Sequence, residues 1–82
     1  MEKYLITCRS LTNAQRSQRL LERSGIVTTL IKAPVGLTSG GCGYALILRR
    51  HLEESLTILR NRGLLTGKVF QFVENDWKER QT

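Results

Sequence analysis

Two amphipathic stretches, each ended by a glycine, alternate with four short runs of strand-forming residues along this chain. The first stretch repeats apolar and small residues every three or four positions and ends at Gly25, and the second ends at Gly63. This spacing is typical of helices that bury one side, and glycine commonly follows a helix C-terminus. The strand-forming runs are residues 3–8, 26–31, 44–48 and 68–73.

The resulting order, β-α-β-β-α-β, predicts an α+β fold of the ferredoxin-like kind. In this arrangement a four-stranded antiparallel sheet has strands one and three in its middle, and right-handed crossovers place both helices on one face. The 82 residues suffice for a single domain, which we expect to span residues 1–73. Residues 74–82 are polar apart from Trp77, and they predict a loosely held tail.

The composition of the chain bears on its cellular location, the state of its cysteines and the charge of its partners. No apolar run is long enough to cross a bilayer, and the first residues lack the layout of a signal peptide. These features predict a cytoplasmic protein, in which the two cysteines are reduced thiols. The net charge of +6 suits an anionic partner, such as an acidic protein surface.

A glycine-rich segment lies between the second and third strand runs, and it contains Gly40, Gly41, Cys42 and Gly43. Glycines let the backbone adopt positive φ and bring its N–H groups close to a small anion or to the cysteine sulfur. A simple connector needs only a short turn, so this composition points to a function centred on the thiol.

The predicted topology brings this segment together with two other features. Strands one and two run in the same direction, so the end of strand one, the start of the first helix and the loop after strand two share one end of the sheet. Residues 11–13 are expected to provide the N-cap of the first helix. We therefore expect Cys8, this helix start and Cys42 to converge there.

This convergence suggests how the Cys42 thiol could be activated. A free thiol has a pKa of roughly 8.5, and a helix N-terminus or a nearby cation lowers that value. Arg9 and the helix start at Asn13 are candidates to stabilise the anion, together with the N–H groups of the neighbouring glycines. A stabilised thiolate can accept sulfane sulfur and pass it on. The alternative is that Cys42 simply begins strand three and the glycines shape a turn.

Cys8 has a different pattern. It alternates in phase with Tyr4 and Ile6, which favours a residue packed on one face of the sheet. Its expected closeness to Cys42 nevertheless permits a role as resolving thiol. The chain has two cysteines, and its one histidine lies outside the glycine-rich segment, so the sequence does not predict a metal site. No motif for a cofactor is present.

Several segments also resemble a known family. They are Tyr4-Leu5-Ile6-Thr7, residues 20–26, Ala33-Pro34, and residues 39–46 around Cys42. Over about residues 3–73 the chain resembles the small bacterial selenium/sulfur carrier-like proteins of the DUF3343 family. The resemblance implies that Cys42 carries sulfur or selenium. This chain departs from the family by an extra glycine at Gly40-Gly41 and by its many arginines.

Two functional hypotheses follow. In the first, Cys42 accepts persulfide or selenide from a donor such as a cysteine desulfurase and passes it to an acceptor protein, so the chain is an accessory carrier rather than a stand-alone enzyme. In the second, the chain is a ligand-binding or regulatory module, because the fold does not determine function.

The sequence also bears on nucleic acid and on a second copy of the chain as partners. The pattern does not favour nucleic acid, because strands one and three supply only Tyr4 and Tyr44 and lack the RNP motif of RNA-binding members of this topology. A homodimer is expected if Tyr4, Ile6, Tyr44 and Leu48 lie on the sheet face that no helix covers.

Overall fold

The computed structural model describes residues 3–33, 43–65 and 67–80, which form one antiparallel sheet and two helices. The strands are β1 (Tyr4–Cys8), β2 (Thr29–Lys32), β3 (Tyr44–Leu48), β4 (Val69–Val73) and β5 (Asp76–Arg80), and the helices are α1 (Leu11–Arg23) and α2 (Leu52–Asn61). The sheet order is β2-β3-β1-β4-β5. The predicted α+β class and the interior positions of strands one and three are confirmed.

Both helices end as the sequence predicts, at a glycine with positive φ. Gly25 has a φ of 82° and Gly63 a φ of 68°. In α1 the N–H of Ile26 donates to the Leu21 carbonyl at 2.9 Å, and α2 ends with the equivalent bond. These bonds satisfy carbonyls that have no partner within the helix. Within the described residues, neither helix is long and apolar enough to cross a membrane.

The two faces of the sheet bury different sets of residues. The face beneath the helices forms the larger core, and it includes Tyr4, Ile6, Cys8, Leu46 and Leu48. The expectation that Tyr4, Ile6 and Leu48 lie on the uncovered face is therefore wrong, and Tyr44 also packs against the helix-side core.

The face that neither helix covers has its own apolar cluster. Leu5, Ala45 and Phe70 are its buried members, and Ile47 and Trp77 are among the partly buried residues around them. All five residues of β1 are buried, because this strand lies in the middle of the sheet and contributes side chains to both clusters. With no polar face in β1, its sequence does not reveal which residues point toward the helices.

A fifth strand replaces the predicted loose tail. Asp76 pairs with Val73, and the two residues between them, Glu74 and Asn75, have φ values of 51° and 64°. A two-residue turn with both φ values positive matches the right-handed twist of a hairpin, so the chain folds back onto β4. The strand is polar because it forms the edge of the sheet, where charged side chains remain solvated.

Side-chain contacts anchor β5 on both faces of the sheet. On the uncovered face, the Trp77 ring packs edge-on against Phe72, with 5.0 Å between the ring centroids. On the helix side, Arg80 Nη1 donates to Gln71 Oε1 at 2.9 Å, and Arg80 Nη2 lies 3.6 Å from a carboxylate oxygen of Glu53 on α2. These contacts join the last strand to both the sheet and the helix layer.

Candidate functional site

The two ends of the segment between β2 and β3 lie side by side. The N–H of Ala33, which follows β2, donates to the carbonyl of Gly43 at 3.0 Å, and Gly43 directly precedes β3. Tyr44 then pairs with Cys8, the last residue of β1. The sheet therefore places both ends of this segment at the C-terminal end of β1, which we call the Cys8 end. Of the residues predicted to form the site, Gly40, Gly41 and Cys42 lie outside the described residues.

Cys8 itself is buried in the helix-side core, with 5% of its surface exposed. Its Sγ donates a weak hydrogen bond to the Ile6 carbonyl at 3.8 Å. Burial raises the pKa of the Cys8 thiol from 9.0 to about 11, because a thiolate there would lose most of its hydration. The thiol is thus protonated near neutral pH and is a weak nucleophile. A resolving role would require the structure to open around it first.

The N-terminus of α1 faces the same end of the sheet, and its cap differs from the predicted one. Ser10, not a residue of the predicted segment 11–13, is the N-cap, and its Oγ accepts from the Asn13 N–H at 3.1 Å. The Asn13 carbonyl accepts from Ser17 Oγ at 2.9 Å. Since the cap already uses the Asn13 N–H, this backbone group is not a free donor for an anion. The first turn of α1 contains no acidic residue to neutralise the positive end of the helix dipole.

Basic side chains surround this end of the sheet. Arg9 follows Cys8, is exposed, and forms no ion pair with a described residue. Lys32 is equally exposed and ends β2, where it pairs across the sheet with Tyr44. Lys68 lies on the other side of β1, and its Nζ is 3.7 Å from a carboxylate oxygen of Glu79. The local charge is therefore positive, which favours an anion nearby.

Sequence reasoning identified Arg9 but missed Lys32. The signal that could have found Lys32 is the shared direction of β1 and β2, which brings the last residue of β2 to the same end as Cys8. The predicted second strand ended one residue too early, at Ile31, and so left Lys32 in the loop.

Comparison with known proteins adds a family to this geometry. No curated protein and no solved structure matches the chain significantly. Residues 3–71 match the family described as "Putative Se/S carrier protein-like". The match runs from the start of β1 into β4 and so includes both helices and the segment that joins β2 to β3. The chain belongs to this family of selenium/sulfur carrier-like proteins.

Proposed function

We propose that this protein carries sulfur or selenium on Cys42 between a donor and an acceptor protein. The observation that carries the proposal is membership of a carrier-like family, over a match that includes Cys42. In this role the chain binds and transfers a single atom and does not turn over a substrate alone. A cytoplasmic location, where thiols are kept reduced, suits this chemistry.

The proposed transfer is an exchange between sulfur atoms. The Cys42 thiolate attacks the outer sulfur of a persulfide on a donor of the cysteine desulfurase class. A new bond forms between Cys42 and that sulfur, the sulfur–sulfur bond of the donor breaks, and the donor cysteine leaves as a thiolate. No external oxidant or reductant is consumed. An outer selenium atom in place of the outer sulfur follows the same route.

The charges at the Cys8 end support such an exchange. Arg9 and Lys32 are exposed cations without an ion pair among the described residues, and the N-terminus of α1 adds a positive dipole end. Positive potential lowers the pKa of a nearby thiol and stabilises a bound persulfide anion. In this proposal Gly40, Gly41 and Gly43 add backbone N–H donors, while Asn13 contributes by shaping the capped helix start.

The buried state of Cys8 supports assigning the carrier role to Cys42 alone. Its thiol is protonated at neutral pH, and its contact within the described part of the chain is a backbone carbonyl of its own strand. The exchange as written needs one cysteine on the carrier, so Cys8 has a packing role. A resolving role for Cys8 is the alternative that the experiment below distinguishes.

Sulfur loading with single-cysteine variants tests the proposal. The purified protein is incubated with a cysteine desulfurase and ³⁵S-cysteine, and the label on the carrier is measured on a non-reducing gel. We expect label on the wild type and on the Cys8→Ala variant, and none on Cys42→Ser. Label that persists on Cys42→Ser would overturn the assignment. More label on Cys8→Ala than on the wild type, with a native circular dichroism spectrum, would restore a resolving role, because a resolving thiol releases the bound sulfur as it forms a disulfide with Cys42.

A further inference from the structure

A shallow groove lies at the end of the sheet opposite Cys8. It has a volume of about 430 Å³ and is open to solvent along one side. Thr29 and Ile47, which pair across β2 and β3, and Leu5, which pairs with Ile47, share the uncovered face of the sheet. The groove is therefore a feature of that face. Its lining residues are Lys3, Val27, Thr29, Ile47, Leu48, Arg49 and Arg50.

Among the described residues, every charged residue that lines the groove is a cation. Lys3, Arg49 and Arg50 form no ion pair with any described residue. The Nζ of Lys3 lies 5.5 Å from the Phe72 ring centroid and 5.7 Å from that of Trp77, so this charge also contacts the two rings on β4 and β5. Arg49 and Arg50 are exposed and follow directly after β3.

Two acidic residues, Glu53 and Glu54, line a second pocket together with Arg49 and Arg50. Glu53 and Glu54 begin α2, close to the two arginines in sequence. A carboxylate oxygen of Glu53 lies 3.6 Å from Arg80 Nη2, and one of Glu54 lies 3.3 Å from His51 Nδ1. Neither carboxylate forms an ion pair with a described cation of the groove, so these cations can pair with an anionic group of a partner.

Apolar surface accompanies these charges. Val27 is 84% exposed, far more than the other exposed large hydrophobic residues, Leu11 at 40% and Val73 at 38%. Ile47, half-buried, lies in the same groove. A free inorganic anion gains nothing from apolar contacts, whereas a protein segment can cover them. None of the described lining residues is aromatic, so they offer no ring on which a nucleic-acid base could stack.

We propose that this groove docks an acidic, extended segment of a partner protein, with carboxylates on Lys3, Arg49 and Arg50 and an apolar side chain against Val27. A second copy of this chain is a poor occupant, because the net charge of +6 opposes self-association through a cationic groove.

The position of the groove matters for the carrier function. β1 has five residues and spans roughly 13 Å, so the groove and the Cys8 end lie at opposite ends of the sheet. A partner segment in the groove would leave the Cys8 end accessible. The proposal rests on the carrier function in one respect, the identification of the partner as a donor or an acceptor. Binding in the groove does not require a reactive Cys42.

Binding of a synthetic peptide tests the docking site. The probe is a fluorescein-labelled peptide of about ten residues in which glutamate alternates with valine, and its affinity is measured by fluorescence anisotropy at low and high salt. A peptide with lysine in place of glutamate is the control probe. The variant Arg49→Gln/Arg50→Gln removes two groove charges, and Arg16→Gln/Arg19→Gln removes two exposed charges on α1, outside the groove.

We expect the Arg49→Gln/Arg50→Gln variant to bind about tenfold more weakly and the α1 variant to bind within about twofold of the wild type. Val27→Ser, which changes no charge, should also weaken binding, and Cys42→Ser should leave it unchanged. The Cys42→Ser variant separates docking from sulfur transfer, because peptide binding in the groove is measured independently of the transfer assay.

Three outcomes would overturn the proposal. Equal losses in the two double-arginine variants would show that the net charge, not the groove, attracts the peptide. Tighter binding of a single-stranded oligonucleotide of about ten nucleotides, lost in Arg49→Gln/Arg50→Gln, would make the groove a nucleic-acid surface. A dimer mass by light scattering that the same variant abolishes would make a second copy the occupant.

Discussion

The Thr7 hydroxyl and the Lys68 backbone form a reciprocal pair of hydrogen bonds. The Lys68 N–H donates to Thr7 Oγ1 at 2.7 Å, and Oγ1 donates to the Lys68 carbonyl at 3.1 Å. The same carbonyl accepts from the Thr7 N–H at 2.9 Å. These bonds extend the β1–β4 pairing one residue beyond Ile6 and Val69, toward the Cys8 end. They hold the entry to β4 against the strand that ends in Cys8.

Replacement of Thr7 by valine should destabilise the protein by about 1–3 kcal/mol, because the Lys68 N–H loses its acceptor beside a side chain that is 5% exposed. Thr7→Ser keeps the hydroxyl and should cost less. Urea denaturation followed by circular dichroism measures both. Equal losses in the two variants would mean that the methyl group of Thr7, rather than its hydrogen bonds, stabilises this junction.

Gly67 should not tolerate a side chain. A Cβ at this position would collide with the backbone carbonyl and the hydroxyl of Thr7. We expect Gly67→Ala to lower the free energy of unfolding by about 2–3 kcal/mol, because β4 must shift away from β1. Gly63→Ala is the matched control. A Cβ there meets open space but inherits a φ of 68°, so its cost should be nearer 1 kcal/mol. The reverse order would contradict the close contact.

The reactivity of Cys8 should depend on pH as expected for a buried thiol. Because burial raises its pKa to about 11, alkylation of Cys8 in the folded protein should be negligible near neutral pH and rise only toward pH 11. Intact mass, with peptide mapping to separate Cys8 from Cys42, follows the reaction. In urea Cys8 should react at the ordinary thiol pKa. Fast alkylation of Cys8 in the folded protein at pH 7 would contradict its burial.

The same pKa shift predicts how stability varies at high pH. Between pH 9 and about 11 the folded state keeps the Cys8 proton while the unfolded state loses it. The unfolded state then binds fewer protons, so the free energy of unfolding falls as pH rises through this window. The contribution is fully present below pH 9. Cys8→Ala should remove this part of the pH dependence, which urea titrations at a series of pH values would show.

Trp77, the single tryptophan, reports whether β5 folds with the rest of the sheet. Its ring packs on Phe72, and Lys3 lies above both rings. We expect tryptophan fluorescence and far-UV circular dichroism to give the same urea midpoint. Phe72→Ala should shift the fluorescence spectrum toward that of a hydrated indole, while Lys78→Ala, an exposed position on the other face of β5, should not. An early fluorescence transition would indicate that β5 separates from the sheet first.

Much of the fold could be predicted from short-range patterns. Gly25 and Gly63 mark the ends of α1 and α2 because an αL residue after a helix is a local requirement. The runs around β1, β3 and β4 were recognisable because strand-forming residues cluster within a few positions. β5 was missed because an edge strand can consist mostly of polar residues, and its strand character depends on pairing with β4.

The candidate site, like the fold, could be predicted from the sequence only in part. The shared end of β1 and β2 follows from the order of the elements, and it led to Arg9 and Cys8. The N-cap was placed in segment 11–13 because Ser, Thr and Asn are all common N-cap residues, and the local sequence does not choose between Ser10 and the residues that follow it. The hydrogen bond from the Asn13 N–H to Ser10 Oγ identifies Ser10 as the cap.

The sequence by itself determined the order of the first six elements, the helix ends and the family, because each depends on residues close together in the chain or on the chain as a whole. Tertiary structure alone decided which face of β1 lies under the helices, since the residues on both of its faces are buried. It also decided the pKa of Cys8, which packing from distant elements raises, and the groove that joins Lys3, Val27 and Arg49. Burial and pairing depend on contacts between residues far apart in the chain, and local patterns do not encode those contacts.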